Sequence, residues 1–426
     1  MNIEGIFSDE TIEYVSMQSL KNRQNIRIQI RIFKDDKPDI LVDHRDGSEV
    51  VMSKLRSSEH FDFYYADLED RDYLKYYFKI IDSKNTLFFT RFGITDYLKE
   101  DALFEYNKNF NLPDWAKGAL MYQIFIDRFN RGDETNDVVD DEYIYIGLPV
   151  KHKENWNEYP SNFDVGYFYG GDLAGVLQKL DYLRDFGVEV IYFNPLFVSP
   201  SNHKYDTQDY DHIDPHLTII AEDGGELLAP DAGDNLNATR YQKRSADRKN
   251  LEASDRFFAE VVAEAHRFGF RILLDGVFNH CGWDFALWQD VVRNGKASPY
   301  FDWFIVQEWP FETVVEPECE AVASRSRPSG TNGKSGKYST FAYVDTMPKL
   351  NTNNPAVVDY LLNVCETWVR SYDIDGLRLD VANELSHTFC RQLYRRMRSL
   401  KKDFYLLGEI WRSALPWLRG WQGLGT

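Results

Sequence analysis

The sequence predicts an α/β protein: a parallel (β/α)8 TIM barrel, incomplete with about five strands present, preceded by an N-terminal β-sandwich. Two patterns lead there. After Pro113, apolar runs of strand length alternate with amphipathic helical segments, as in a parallel sheet covered by helices. Several of those runs end on polar groups: FRILLDGVFNH on Asp275, Asn279 and His280, DGLRLDVANE on Arg378 and Asp380, and FYLLGEIW on Glu409. In a parallel β/α barrel all strand carboxyl ends converge on one face, where the site lies. Before Pro113 the period is two. Ile26, Ile28, Ile30 and Ile32 alternate with Arg27, Gln29 and Arg31, the pattern of a sheet with one buried face.

Residues 1–113 read as the sandwich. Tyr77 to Asp82 and Leu87 to Thr90 form further strands, and Asp46-Gly47 and Asp82-Ser83 are turn signals. Asn111 to Lys117, around Pro113, is the linker, and Ala119 to Phe129 is the first barrel strand. Leu173 to Phe186 is an amphipathic helix with Leu177, Leu180 and Leu183 on its apolar face, closed by Gly187. The strand Glu189 to Phe193 then ends at Asn194-Pro195. Ser254 caps a helix running to Phe268, before the strand that carries Asp275. The first part of the barrel is thus 114–280. The stretch 281–343 is too long for an ordinary loop and forms a small excursion beside the cleft. Within it, Gly330 to Gly336 has the flavour of a phosphate loop, but Pro328 stands where that motif needs glycine, so it reads as a flexible loop. The barrel resumes over 344–426 with a helix from Pro355 to Ser371, the Arg378/Asp380 strand, a helix capped by Ser386 with Phe389, Leu393 and Met397 inward, and the Glu409 strand.

Hydrophobic residues make up 43% of the chain, enough for a large core. An aromatic content of 15% suits both that core and stacking on the C–H faces of sugar rings. A formal charge of −19 argues against nucleic acid or an anionic membrane as partner. Cys281, Cys319, Cys365 and Cys390 are scattered, which fits neither a disulfide framework nor a zinc site and suits a reducing compartment. The first residues, MNIEGIFSDE, lack the basic and apolar regions of a signal peptide, and no run approaches the ~20 apolar residues of a membrane span. A cytoplasmic location is the expectation.

Arg378 and Asp380 lie two apart on a strand, so they share a face while Leu377 and Leu379 take the other. The cation is expected to hold Asp380 ionised by lowering its pKa. Alone, such a pair is an ordinary strand-end ion pair. With Glu409 at the end of another apolar strand, kept protonated by its surroundings, the two carboxyls are the equipment of a retaining glycosidase. In the loop Asn130 to Asp137, the oxygens of Asp133, Asn136 and Asp137 have a spacing that suits calcium, and that an ordinary polar loop would also show.

These stretches resemble the signature regions of the α-amylase family of glycoside hydrolases, family 13. LLDGVFNH resembles the first region, DGLRLDVANE the second and LLGEIW the third. MPKLN, Met347 to Asn351, resembles the motif that marks the neopullulanase, cyclomaltodextrinase and maltogenic amylase branch. GVEVIYFNPLF resembles the second barrel strand and SNHKYDTQDY the loop after it. The likeness runs from about Leu120 to the end. It implies double-displacement hydrolysis of α-1,4 bonds, and by extension α-1,6 bonds, in cyclodextrins, pullulan, starch or maltooligosaccharides. Asp380 would be the nucleophile, Glu409 the acid and base, and Arg378 the residue that keeps Asp380 charged. Asp275 would be a structural carboxylate beside the arginine, His280 a hydrogen-bond partner of the substrate, and Tyr205, next to Asp206, a stacking platform. Asn194, Asn383, Glu384 and Trp411 would complete the substrate contacts. The resemblance also implies a calcium held by Asp133, Asn136, Asp137, Gly170 and Asp172, although Arg131 stands where the family often has asparagine. It further implies an N-terminal, carbohydrate-binding-module-like domain used for homodimerisation.

Three departures accompany it. The family's third acid ends an Asn-His-Asp motif, and the chain contains no such tripeptide. About three barrel strands and a carboxy-terminal β domain are expected to be missing, so the sequence reads as part of a longer enzyme. Arg412 follows Trp411 where the branch often has histidine. Two rival readings stay open: an α-1,6-glucosidase or transglycosylase of the same family, and a non-catalytic glucan-binding fragment.

Overall fold

A computed structural model describes the chain except residues 12, 21–22, 44–48, 83–84, 99–101, 109–111, 163, 310–336, 412–413, 415–416 and 418–426. The expected turns at Asp46-Gly47 and Ser83, the Gly330 to Gly336 segment with Pro328, Cys319 and Arg412 lie outside the described residues. The chain divides into two compact units, Met1–Asn111 and Leu112–Thr426, within three residues of the boundary expected from Pro113.

In the first unit the alternating isoleucines do what period two requires. Ile26, Ile28, Ile30 and Ile32 are fully buried on the strand Arg23–Phe33, while Arg27 on the other face forms a two-pronged ion pair with Asp67 across the sheet. That sheet has the order Val15–Leu20, Arg23–Phe33, Phe61–Glu69, Ser53–Ser57. A second sheet is built around Asp39–Asp43, Tyr73–Ile81 and Thr86–Thr90. The isoleucines share one core with Val42, Phe78 and Ile80 of the second sheet, so the unit is a two-layer sandwich.

The second unit is organised on five parallel strands paired in sequence order: Met121–Ile124, Val190–Phe193, Arg271–Gly276, Gly376–Leu379 and Tyr405–Gly408. The first is shorter than the apolar run from Ala119 to Phe129 suggested, because the chain turns into a 3-10 segment at Ile126–Arg128. The helix expected from Leu173 to Phe186 is broken at Lys179 into Leu173–Gln178 and Leu180–Asp185. The helix expected to start at Ser254 spans Arg248–Arg267. Its cap is Asp247, whose carboxylate accepts from the Lys249 N–H, and Ser254 instead donates to the Asn250 carbonyl one turn back. Pro355–Tyr372 begins on Asn354 and ends with Asp373 in the left-handed region at φ 56°. Ser386 caps His387–Leu400 as expected, its Oγ accepting from the Phe389 N–H at 3.1 Å, and Phe389, Leu393 and Met397 are fully buried.

The loops after the first and second strands build a satellite core, in which Val138, Tyr143, Val150 and Phe168 pack with Leu228 and Ala238. No sequence pattern announced it. In the described part of the 281–343 excursion, the helix Ala286–Asn294 buries Trp288 against Phe304 and Tyr338, with ring centroids 4.9 Å away in each case. Cys281, Cys365 and Cys390 are buried free thiols. Among the described residues no helix is long and apolar enough to cross a membrane.

Candidate active site

The strand register brings the polar ends together. Asp275 on the third strand lies level with Arg378 on the fourth, and Arg378 lies level with Leu407 on the fifth, two residues before Glu409. Past the strand ends, the Asp380 N–H donates to the Gly276 carbonyl and the Glu409 N–H to the Leu379 carbonyl, both at 3.1 Å. Two catalytic candidates are thereby fixed by the backbone of neighbouring strands.

Arg378 joins three carboxylates. Its Nη1 donates to Asp275 at 2.9 and 3.0 Å and to Asp380 Oδ1 at 2.9 Å, and its Nη2 pairs with Glu409 Oε2 at 2.8 Å. Glu409 Oε2 also accepts from the Val381 N–H at 2.9 Å. Asp380 Oδ2 is buried and has no hydrogen-bond partner. The nucleophile candidate thus spends one oxygen on Arg378 and keeps the other free.

This geometry corrects two expectations. Arg378 does pull the Asp380 pKa down, but burial and the charge of Asp275 outweigh it, and with Glu409 adding to them the pKa is pushed up to about 7. One guanidinium cannot balance three carboxylates. Glu409, for its part, does not sit in an apolar setting. Its side chain is 32% exposed and is ion-paired.

The remaining residues fall around this centre. His280 is fully buried and its Nε2 has no hydrogen-bond partner, while burial pushes its pKa down to about 3. Its ring stacks on Phe341, centroids 4.6 Å apart, and Phe341 in turn meets the half-exposed Trp411 edge-on at 6.0 Å. The Tyr205 hydroxyl donates to Asp275 Oδ2 at 2.9 Å, and Asn194 Oδ1 accepts from Gln123 Nε2 at 2.8 Å. Asn383 Oδ1 accepts from the Trp411 N–H at 3.4 Å, and Glu384 pairs with Lys349 at 2.5 Å. Asp206 Oδ1 accepts from the hydroxyls of Ser199 and Ser201. Sequence reasoning missed Tyr192, whose hydroxyl donates to Asp275 Oδ2 at 2.5 Å. Its position two residues before Asn194 was the available signal, hidden in a run of four buried residues. Gln123 and Phe341 were missed too, and nothing local singled them out; Lys349 lies inside MPKLN but was given no role of its own.

The residues expected to hold calcium converge but do not fit the ion as they stand. The Asp172 carboxylate caps a helix by accepting from Gly175 N at 2.5 Å, and it also accepts from Asp133 N at 2.7 Å and from Gly132 N. Asp133 Oδ1 accepts from the backbone and hydroxyl of Thr135. Asp137 Oδ2 is paired with the Arg131 guanidinium. Calcium takes ~6–8 oxygens, and the oxygens here are largely committed to protein donors. Among the described residues, no group of three or more His, Cys, Asp or Glu is arranged to hold a metal ion.

Residues 123–223 and 254–423 match the family described as "Alpha amylase, catalytic domain". The chain belongs to the α-amylase family. Residues 1–113 match "Alpha amylase, N-terminal ig-like domain". A cyclomaltodextrinase of Thermoanaerobacter pseudethanolicus is 34% identical over 98% of this chain and 63% of its own length. An intracellular maltogenic amylase of Bacillus subtilis is 35% identical over 93% of this chain and 59% of its own. A solved cyclomaltodextrinase structure superposes with a TM-score of 0.61 at 32% identity, covering 99% of this chain and 63% of that one. The chain thus spans about six-tenths of the length of these α-amylase-family relatives.

Proposed function

We propose that this α-amylase-family chain cleaves α-1,4-glucosidic bonds, and α-1,6 bonds in the same class of substrate, with retention. Cyclodextrins, pullulan, starch and maltooligosaccharides are the substrates. The carrying observation is the shared guanidinium: it holds Asp380 and Glu409 side by side, with Asp380 Oδ2 unengaged. Two carboxyls on one arginine are brought to the same side of the site, and a close pair (roughly 5–5.5 Å apart) is what direct attack requires. The step requires the form with Glu409 protonated and Asp380 ionised: Glu409 gives its proton to the glycosidic oxygen while Asp380 Oδ2 attacks the anomeric carbon, and the leaving sugar departs with that proton as a glycosyl ester forms. Glu409, now a carboxylate, takes a proton from water, the water oxygen bonds to the anomeric carbon, and Asp380 is released. His280, kept neutral by burial, offers its free Nε2 to a sugar hydroxyl, and Tyr205, Phe341 and Trp411 supply ring faces.

The names of the relatives, cyclomaltodextrinase and maltogenic amylase, support this substrate class. A relative described as intracellular and the buried free thiols support a cytoplasmic location. Homodimerisation through the N-terminal unit is part of the same proposal. The test is maltose release from β-cyclodextrin by the chain and by Asp380→Asn. The substitution is expected to lower the rate by a factor of ~10⁴ or more. Release by the variant at the parental rate would overturn the assignment.

A further inference from the structure

The loop after the first barrel strand carries a cation of its own. Asp137 is only 4% exposed in its side chain, and a buried carboxylate needs a positive partner. The partner is Arg131, whose Nη2 is bonded to Asp137 Oδ2 and whose Nη1 lies 3.6 Å from Glu134 and 3.7 Å from Glu154. Both side chains crowd Gly170: a Cβ placed there would collide with Asp137 Oδ1 and stand 3.3 Å from Arg131 Nε. Asn136 Oδ1 and Asp137 Oδ1 are buried oxygens without a hydrogen-bond partner. A cluster of buried oxygens around a glycine backbone is a cradle for a cation, and a side-chain cation lies against it.

We infer that Arg131 is a built-in replacement for a structural metal, its charge neutralising the buried Asp137 carboxylate beside Gly170. The pairing matters beyond the loop. Asn136 Nδ2 donates to the Thr218 carbonyl at 2.8 Å and Arg244 Nη1 to the Asp137 carbonyl at 2.7 Å. Both bonds tie the loop after the first strand to chain beyond the second strand. A divalent ion entering beside the guanidinium would meet a like charge at short range and would find Asp172, Asp133 and Asp137 Oδ2 already committed. Removing the guanidinium frees Asp137 and restores the cradle to a metal.

The experiment uses the whole chain and reads metal content and thermal unfolding, so it is independent of the catalytic assignment. The parent, stripped with a chelator and then equilibrated with millimolar calcium chloride, is expected to hold no stoichiometric calcium, and its Tm is expected to be the same in calcium and in chelator. Arg131→Asn is expected to lose at least ~5 °C in chelator, to bind one calcium per chain, and to regain most of the loss on binding it. Arg131→Lys, which keeps a cation, is expected to stay indifferent to calcium. One calcium per parent chain with a rise in Tm overturns the inference, as does a folded Arg131→Asn that ignores calcium. Should that variant not fold, the parent decides alone: no uptake supports the inference and stoichiometric uptake overturns it.

Discussion

A single guanidinium serving three carboxylates sets the chemistry at the residue scale. Burial and Asp275 push the Asp380 pKa up to about 7, against the pull of Arg378. The proposed nucleophile, Asp380, therefore ionises near neutrality, and kcat/KM on maltooligosaccharides is expected to rise with pH along a limb centred near 7. A limb near 4 would show that Arg378 dominates after all. Stability has the opposite slope. The folded pKa lies above the unfolded value of ~3.9, so between about pH 4 and 7 the folded state binds the extra proton, and stability falls as pH rises through that window. Asp380→Asn cannot ionise, so its melting temperature is expected to exceed that of the parent at pH 8 and to approach it at pH 5. Equal gaps at both pH values would contradict this. Val381 adds local strain, being a β-branched residue at φ 46° and ψ 45°, a conformation costing ~1–3 kcal/mol. That conformation accompanies the bond from its N–H to Glu409.

Among the elements, the loops after the first and second barrel strands are docked by buried charge. His216 bonds Glu142 Oε1 at 2.9 Å through Nε2 and Asp214 Oδ1 at 3.0 Å through Nδ1. Lys204 Nζ reaches Asp214 Oδ2 at 2.6 Å, and Arg244 reaches Glu142 at 3.2 Å. Lys204 directly precedes Tyr205, so the network anchors the chain that carries Tyr205. Burial pulls the His216 pKa down, but Glu142 and Asp214 more than offset it, and the net shift is upward. A raised histidine stabilises fully below its unfolded value of ~6.5, and the contribution is lost as pH rises through the folded value. His216→Gln is expected to cost about 3 kcal/mol at pH 6. Denaturant titrations at pH 6 and 9 should show the gap shrinking at the higher pH; a constant gap would mean the imidazole is held neutral.

Considering the whole molecule, the sandwich unit has a core of its own, with the Arg23–Phe33 isoleucines packed against Val42, Phe78 and Ile80. A polypeptide of residues 1–111 is therefore expected to unfold in one cooperative thermal transition. A fragment with no transition by circular dichroism would show that the core is insufficient alone. The barrel unit gathers its chemistry at the carboxyl ends of adjacent parallel strands, so each candidate is braced by a neighbour's backbone.

The sequence by itself determined four members of the candidate site and the two-unit plan. Asp275, Arg378, Asp380 and Glu409 stand at the ends of apolar runs, and strand periodicity is a local property that fixes which side chains share a face. The Ser386 cap was legible for the same reason. Tertiary structure decided the rest. Ser254 and Asp247 are both good local caps, and folding chose Asp247 because Ser254 lies buried within the helix. Tyr192 sits in a strand buried on both faces, where alternation vanishes and a functional tyrosine looks like core. The sign of the Asp380 shift, the partner of Glu409 and the placement of Arg131 on Asp137 were decided only in three dimensions. Burial and Coulomb interactions are sums over neighbours that the chain brings together from far apart in sequence, and no window of residues contains them.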